Sequence, residues 1–186
     1  MTTPPPLVRF AALAGPLLLL GYGVLRLIDG LDGSHGSEPY WSLGHTLFFL
    51  GIILFGVLAV GLLRLVPRTA GWPRPLAKAA TVASLFGAAC FLWVIAGDLF
   101  QDFHDAAHLP DVLMMIGPLL FELGQLTLLS ILASVRPRRL PAWSPVLVLV
   151  GFVALSANLD LLPLSALLVL AGLTPLVVKG RRVPVR

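Results

Sequence analysis

Six apolar runs, separated by short polar segments, organise this chain of 186 residues. They fall at about 7–28, 40–64, 76–99, 111–134, 142–157 and 161–178. A helix needs ~20 apolar residues to cross ~30 Å of hydrocarbon, so the first four runs read directly as membrane spans. The last two are shorter, with only Asn158, Leu159 and Asp160 between them. They read as a tight helical hairpin, with a kinked re-entrant pair as the alternative. The expected fold is all-α: a polytopic integral membrane bundle of six transmembrane helices forming a single domain over 1–186. The first run is too long for a signal-peptide core and lacks a small-x-small cleavage site, so it reads as an anchor.

Composition agrees with this pattern. The chain is 58% hydrophobic and 12% charged, with a mean hydropathy of +0.94. Soluble domains carry about 25% charged residues. The single cysteine, Cys90, excludes an internal disulfide and any Cys-based metal motif.

Charge then sets an orientation. Twelve of the thirteen basic residues fall in segments on one side of the six runs, with no acid among them. Eight of the nine acids fall on the other side, accompanied by Arg26 alone. Cytoplasmic loops retain Lys and Arg. The expectation is a multi-pass plasma-membrane protein with both termini in the cytosol and its acidic loops outside. The +4 net charge thus marks topology, and nucleic acid is not expected as a partner. Tyr40, Trp41 and Trp143 fit interfacial anchoring.

Small residues recur every fourth position in the third run, as Ala79, Ala83, Gly87 and as Ala80, Ser84, Ala88. Such spacing lets helix backbones approach closely. It predicts packing within the molecule, with a homo-oligomer face as the alternative. Pro16 and Pro118 are expected to bend their helices.

The chemistry-bearing residues gather on the acidic side. On a helical wheel, residues 98–109 divide into a polar half with His104, Asp105 and His108 and an apolar half with Phe100 and Phe103. That predicts an amphipathic cap extending the third span and ending at Pro110. Asp111 then starts the fourth helix, where its charge complements the dipole. His104 and His108 stand at i and i+4, a spacing at which two imidazoles share one metal ion. The segment "HDAAH" resembles the H-E-x-x-H box of zinc proteases, with Asp105 in place of the catalytic glutamate and one methylene shorter. The resemblance implies a divalent transition metal such as zinc held by His104 and His108. A third ligand would come from His45, His35, Asp160 or another acid of that side. A pH-sensing histidine cluster and a plain solvated acidic face are the alternatives.

Glu122 and Gln125 are the intramembrane polar residues. Glu122 lies ~17 Å into the fourth span at 1.5 Å per residue, where an ionisable group is functional by default. Proton relay, ligand gripping, a polar clamp, or a neutral acid bonded to Thr81, Ser84 or a freed carbonyl are the uses open to it. Three functions follow: a binding or accessory protein with an acidic, His-bearing cap and a protein partner or second copy; a metal-dependent hydrolase using His104, Asp105 and His108, with His45; and a small proton-coupled transporter built around Glu122.

Overall fold

In the computed structural model, residues 4–30, 39–68, 70–136 and 138–178 are described, without the side chain of His104. Prolines start several helices, because a residue without an N–H costs nothing in a first turn. Pro6 opens α1 (Pro6–Asp29) and Pro73 opens α3 (Pro73–Leu99). Between α3 and α2 (Tyr40–Leu65) the chain turns through Gly71 at φ +62°, a conformation that favours glycine. A six-residue α4 (Gln101–Ala106) follows α3, then α5 (Asp111–Ser134), α6 (Trp143–Ala157) and α7 (Leu162–Val177). A single 3-10 turn, Leu159–Leu161, joins α6 to α7.

Among the described residues, five helices are long and apolar enough to cross a membrane, counting the 3-10 turn with α7; α6, at 15 residues, is a shorter apolar helix. The chain is an all-helical membrane bundle, and element ends fall within three residues of those read from the pattern. Large apolar side chains such as Leu7, Phe10, Val82 and Met115 cover its outside, as a lipid-facing surface requires. Pro16 and Pro118 sit inside unbroken helices.

Neighbouring long helices pack antiparallel in a ring ordered α1, α2, α3, α5, α6, α7, with α7 returning to α1. The α5–α6 seam is the weakest in the ring. Inside it, Phe121 meets Phe55 at 5.8 Å and Phe91 at 5.5 Å edge-on, and Phe152 at 6.2 Å with its ring tilted. Edge-to-face contacts of this kind add to the apolar burial of each ring.

The small-residue stripe packs inside the molecule. Ala80, Ser84, Gly87 and Ala88 are buried, whereas Ala79 is exposed. A methyl group at Gly87 would collide with the carbonyl of Gly117 and, at 2.5 Å, with the amide nitrogen of Phe121. One at Gly124 would lie 2.5 Å from the Ala80 carbonyl. Backbone therefore meets backbone along α3 and α5, which is what small residues at this spacing permit.

The α6–α7 hairpin is short. Arg9 donates to the carbonyl of Val177 at 3.0 Å, pinning the basic end of α1 to that of α7. Gly23 of α1 lies against Leu162 and Pro163, at the other end of α7. Beyond Gly23, α1 runs six more residues, which is ~9 Å at 1.5 Å per residue. The hairpin turn therefore stops well below the acidic end of the bundle.

Candidate functional site

Three helices converge at that acidic end. His45 lies one turn into α2 and is only 5% exposed. Its Nδ1 sits 2.9 Å from the carbonyl of Trp41. A carbonyl only accepts, so Nδ1 is the donor, and Nε2 is left for other work. Nε2 faces Asp98 Oδ2 of α3 at 3.6 Å. A bare Nε2 lone pair and a carboxylate are both acceptors, so this contact is attractive when a proton lies between them. The Trp41 ring covers the imidazole at 3.9 Å and Tyr22 of α1 meets it edge-on at 5.3 Å. Phe48 stacks on Tyr22 at 4.7 Å, nearly parallel. Arg26, one turn further along α1, lines the same small hollow as Tyr22 and His45. Asp29, buried at the end of the same helix, is also engaged. The indole of Trp41 reaches the Asp98 carbonyl at 3.4 Å and so ties α2 to the end of α3. The result is a Tyr–Arg–His–Asp cluster drawn from three helices.

The cap beside it differs from the expected extension of α3. The helix breaks at Phe100, whose backbone is extended (φ −132°, ψ 100°), and α4 is a separate turn-and-a-half. Trp93 explains the break. Its indole donates to the Ala107 carbonyl, fourteen residues on, at 2.8 Å. In a continuous helix those residues would stand ~21 Å apart. Folding back also lays Phe103 on the Trp93 ring at 5.1 Å. Phe100 is left 65% exposed. Gln101, Asp102 and Asp105 point to solvent, with Gln101 and Asp105 in a long hydrogen bond of 3.4 Å. The helix ends at Ala106, four residues before Pro110, while Asp111 does open α5.

The expected metal ligands are distributed as follows. His45 is paired with Asp98. His108 lines a small hollow with Trp93, Gly97, Asp98 and Phe103, and is itself engaged in an interaction. The His104 side chain and His35 lie outside the described residues. Among the described residues no three of His, Cys, Asp and Glu come together as a metal-holding group.

Glu122 and Gln125 separate into two environments. Gln125 is buried and donates to the Phe55 carbonyl of α2 at 2.9 Å. Glu122 is half-buried and accepts from the Ser156 hydroxyl of α6 at 3.4 Å. Thr81, a partner considered for it, bonds the Ala77 carbonyl at 2.8 Å, and the Ser84 hydroxyl is buried with no hydrogen-bond partner among the described residues. Ser156 is the last but one residue of α6. Glu122 thus stands at the level where the short hairpin ends, beside the exposed turn residues Asn158 and Asp160.

Asp98, Tyr22 and Trp93 were not singled out from the sequence. A usable signal was Arg26, the lone cation on the acidic side, which needs a local partner. No family model, curated protein or solved structure matches the chain.

Proposed function

We propose that the chain is a small binding or accessory protein of the plasma membrane. Its basic end lies in the cytosol and its acidic end outside, in keeping with the distribution of Lys and Arg. The recognition surface is the acidic cap: exposed Phe100, with Asp102 and Asp105 beside it, over the His45–Asp98 cluster. The carrying observation is the double tryptophan tether. Trp41 and Trp93 fasten α2 and the cap to α3, so an aromatic side chain and two carboxylates are held in a fixed array. Preorganised aromatic anchors with complementary charge are what partner recognition uses, and the acids select a partner segment rich in Lys or Arg.

The test is photocrosslinking in cells from a benzophenone side chain at position 100, with position 72 at the basic end as control. The expected outcome is one discrete adduct from position 100 that disappears when Asp102 and Asp105 are both changed to Asn. Lipid-only adducts, or an adduct indifferent to the two acids, would remove this reading. A reporter fused at the carboxyl end must show cytosolic activity for the orientation to stand.

The position of Glu122 favours a second reading, proton-coupled transport. A carboxyl group at the level of the hairpin turn, on the weakest seam of the ring, is placed to exchange protons with the acidic side. Acidification of proteoliposomes carrying Glu122→Gln, compared with the unaltered protein, tests it: an unchanged proton flux excludes the reading.

A further inference from the structure

The described residues form a second feature at the opposite end of the bundle. An apolar groove of about 490 Å³ runs along the lipid-facing side of α2, walled by α1 and α3. Its floor is α2 from Ile52 to Arg64, with Gly56 giving it depth and Gly61 seating Val8 of the wall. Twelve residues of helix extend ~18 Å, close to the ~15 Å of hydrocarbon in one leaflet. Val8 forms one wall, and Ala89 and Leu92 belong to the other.

The groove ends in positive charge. Arg64 lines its basic end, is exposed, and has no hydrogen bond or ion pair among the described residues. Its neighbour Arg74 is spent on the backbone, donating to the carbonyls of Leu63 at 2.6 Å and Val66 at 2.5 Å. Lys78 is exposed and precedes Leu85, a groove residue, by two helical turns. That spacing puts it on the same face of α3. Lys78 stands one turn along α3 from Arg74, hence level with the last turn of α2. A long apolar slot one leaflet deep, with two cations at its mouth, complements one acyl chain and its phosphate.

We propose that this groove is a binding site for a single anionic phospholipid of the leaflet on the basic side. One acyl chain lies over Gly56 and Val60, and the phosphate sits between Arg64 and Lys78. The assignment does not depend on the function proposed for the acidic cap or on which side is cytosolic.

Native mass spectrometry of the full chain in detergent, titrated with phosphatidylglycerol or phosphatidylcholine of identical acyl chains, tests it. Phosphatidylglycerol should bind as one molecule, roughly tenfold tighter than phosphatidylcholine, since each cation near a headgroup counts several-fold. Arg64→Gln with Lys78→Gln should abolish that preference. Ala89→Phe, at an exposed position that disturbs no buried contact, should fill the slot and weaken both lipids. Equal retention of the two lipids by the unaltered protein would overturn the proposal. So would an unchanged preference in the double variant. A dimer that Ala89→Phe dissolves would assign the groove to a second copy instead.

Discussion

Gln125 reaches from α5 across the bundle to donate to the carbonyl of Phe55, seventy residues earlier in the chain. The Phe55 carbonyl lies within α2, whose own helical ladder supplies it with a donor, so the contact is a second bond to one acceptor. Interhelical hydrogen bonds in membranes average about 0.6 kcal/mol. Gln125→Leu, which keeps the volume, should therefore lose less than about 1 kcal/mol. Gln125→Ala, which leaves a cavity, should lose about 2–3 kcal/mol. Reversible unfolding in mixed micelles separates the two; equal losses would mean that the hydrogen bond, and not the filled space, holds α5 to α2.

The α3–α5 contact has no slack at Gly87. A methyl there meets the Gly117 carbonyl and the Phe121 backbone, neither of which can rotate away. At Gly56 the nearest atom is the tip of Leu85, at 3.5 Å, an ordinary contact. Gly87→Ala should cost about 3 kcal/mol by forcing the helices apart, while Gly56→Ala should fall within about 0.5 kcal/mol of the unaltered protein. Melting temperatures of the two variants decide this, and similar values would show that the helices adjust freely.

Trp93 holds the cap through one hydrogen bond and one ring contact. Trp93→Phe keeps the ring contact and removes the bond. A hydrogen bond contributes about 1 kcal/mol, so amide exchange over 101–107 should accelerate roughly fivefold, with exchange in α5 unchanged. Unaltered exchange at the cap would show that the Trp93–Ala107 bond does not restrain it.

His45 and Asp98 are 3.6 Å apart, and the Asp98 side chain is 35% exposed. Such a partly solvated pair is worth about 1 kcal/mol or less. A double-mutant cycle with His45→Phe and Asp98→Asn should give a coupling in that range. The single His45→Phe change should cost more than the coupling, because the imidazole is packed between Trp41 and Tyr22.

Ser156 and Leu85 lie at similar depth from the basic end, thirteen residues along α6 and twelve along α3. If the bilayer dips to the short hairpin, Ser156→Cys should react with a membrane-impermeant maleimide added on the acidic side, in a Cys90→Ala background. Leu85→Cys, facing full-thickness lipid, should react at least about tenfold more slowly. Equal protection of the two thiols would place the hairpin under lipid.

The helices were legible because burial in lipid imposes a run length, and Asp111 marks the start of α5, whereas α3 opens at Pro73, three residues ahead of the apolar run. The backbone-to-backbone packing of α3 was legible too, through Ala80, Ser84 and Gly87. The acidic-end cluster was legible in part. His45 stood out by its spacing from Trp41, but Asp98 is one of several acids in its loop, and only the antiparallel pairing of α2 with α3 selects it. The break at Phe100 could not be read from the helical wheel. The segment is as amphipathic as expected, and what bends it is an indole contact over fourteen residues. Glu122 found Ser156 rather than Thr81 or Ser84 because α5 turns that side toward α6, a rotation that periodicity alone leaves open.

The docking of α7 on α1 has a consequence for biogenesis. α7, made after the other described helices, finds its main neighbour in α1, with Arg9 meeting Val177 and Gly23 meeting Pro163. Until the ribosome has released the final hairpin, the flank of α1 that carries Gly23 has no permanent cover. Closure of the ring thus waits until α7 has been made. A nascent chain stalled after Ser134 would hold a groove of helix-binding surface open to whatever the insertion machinery presents.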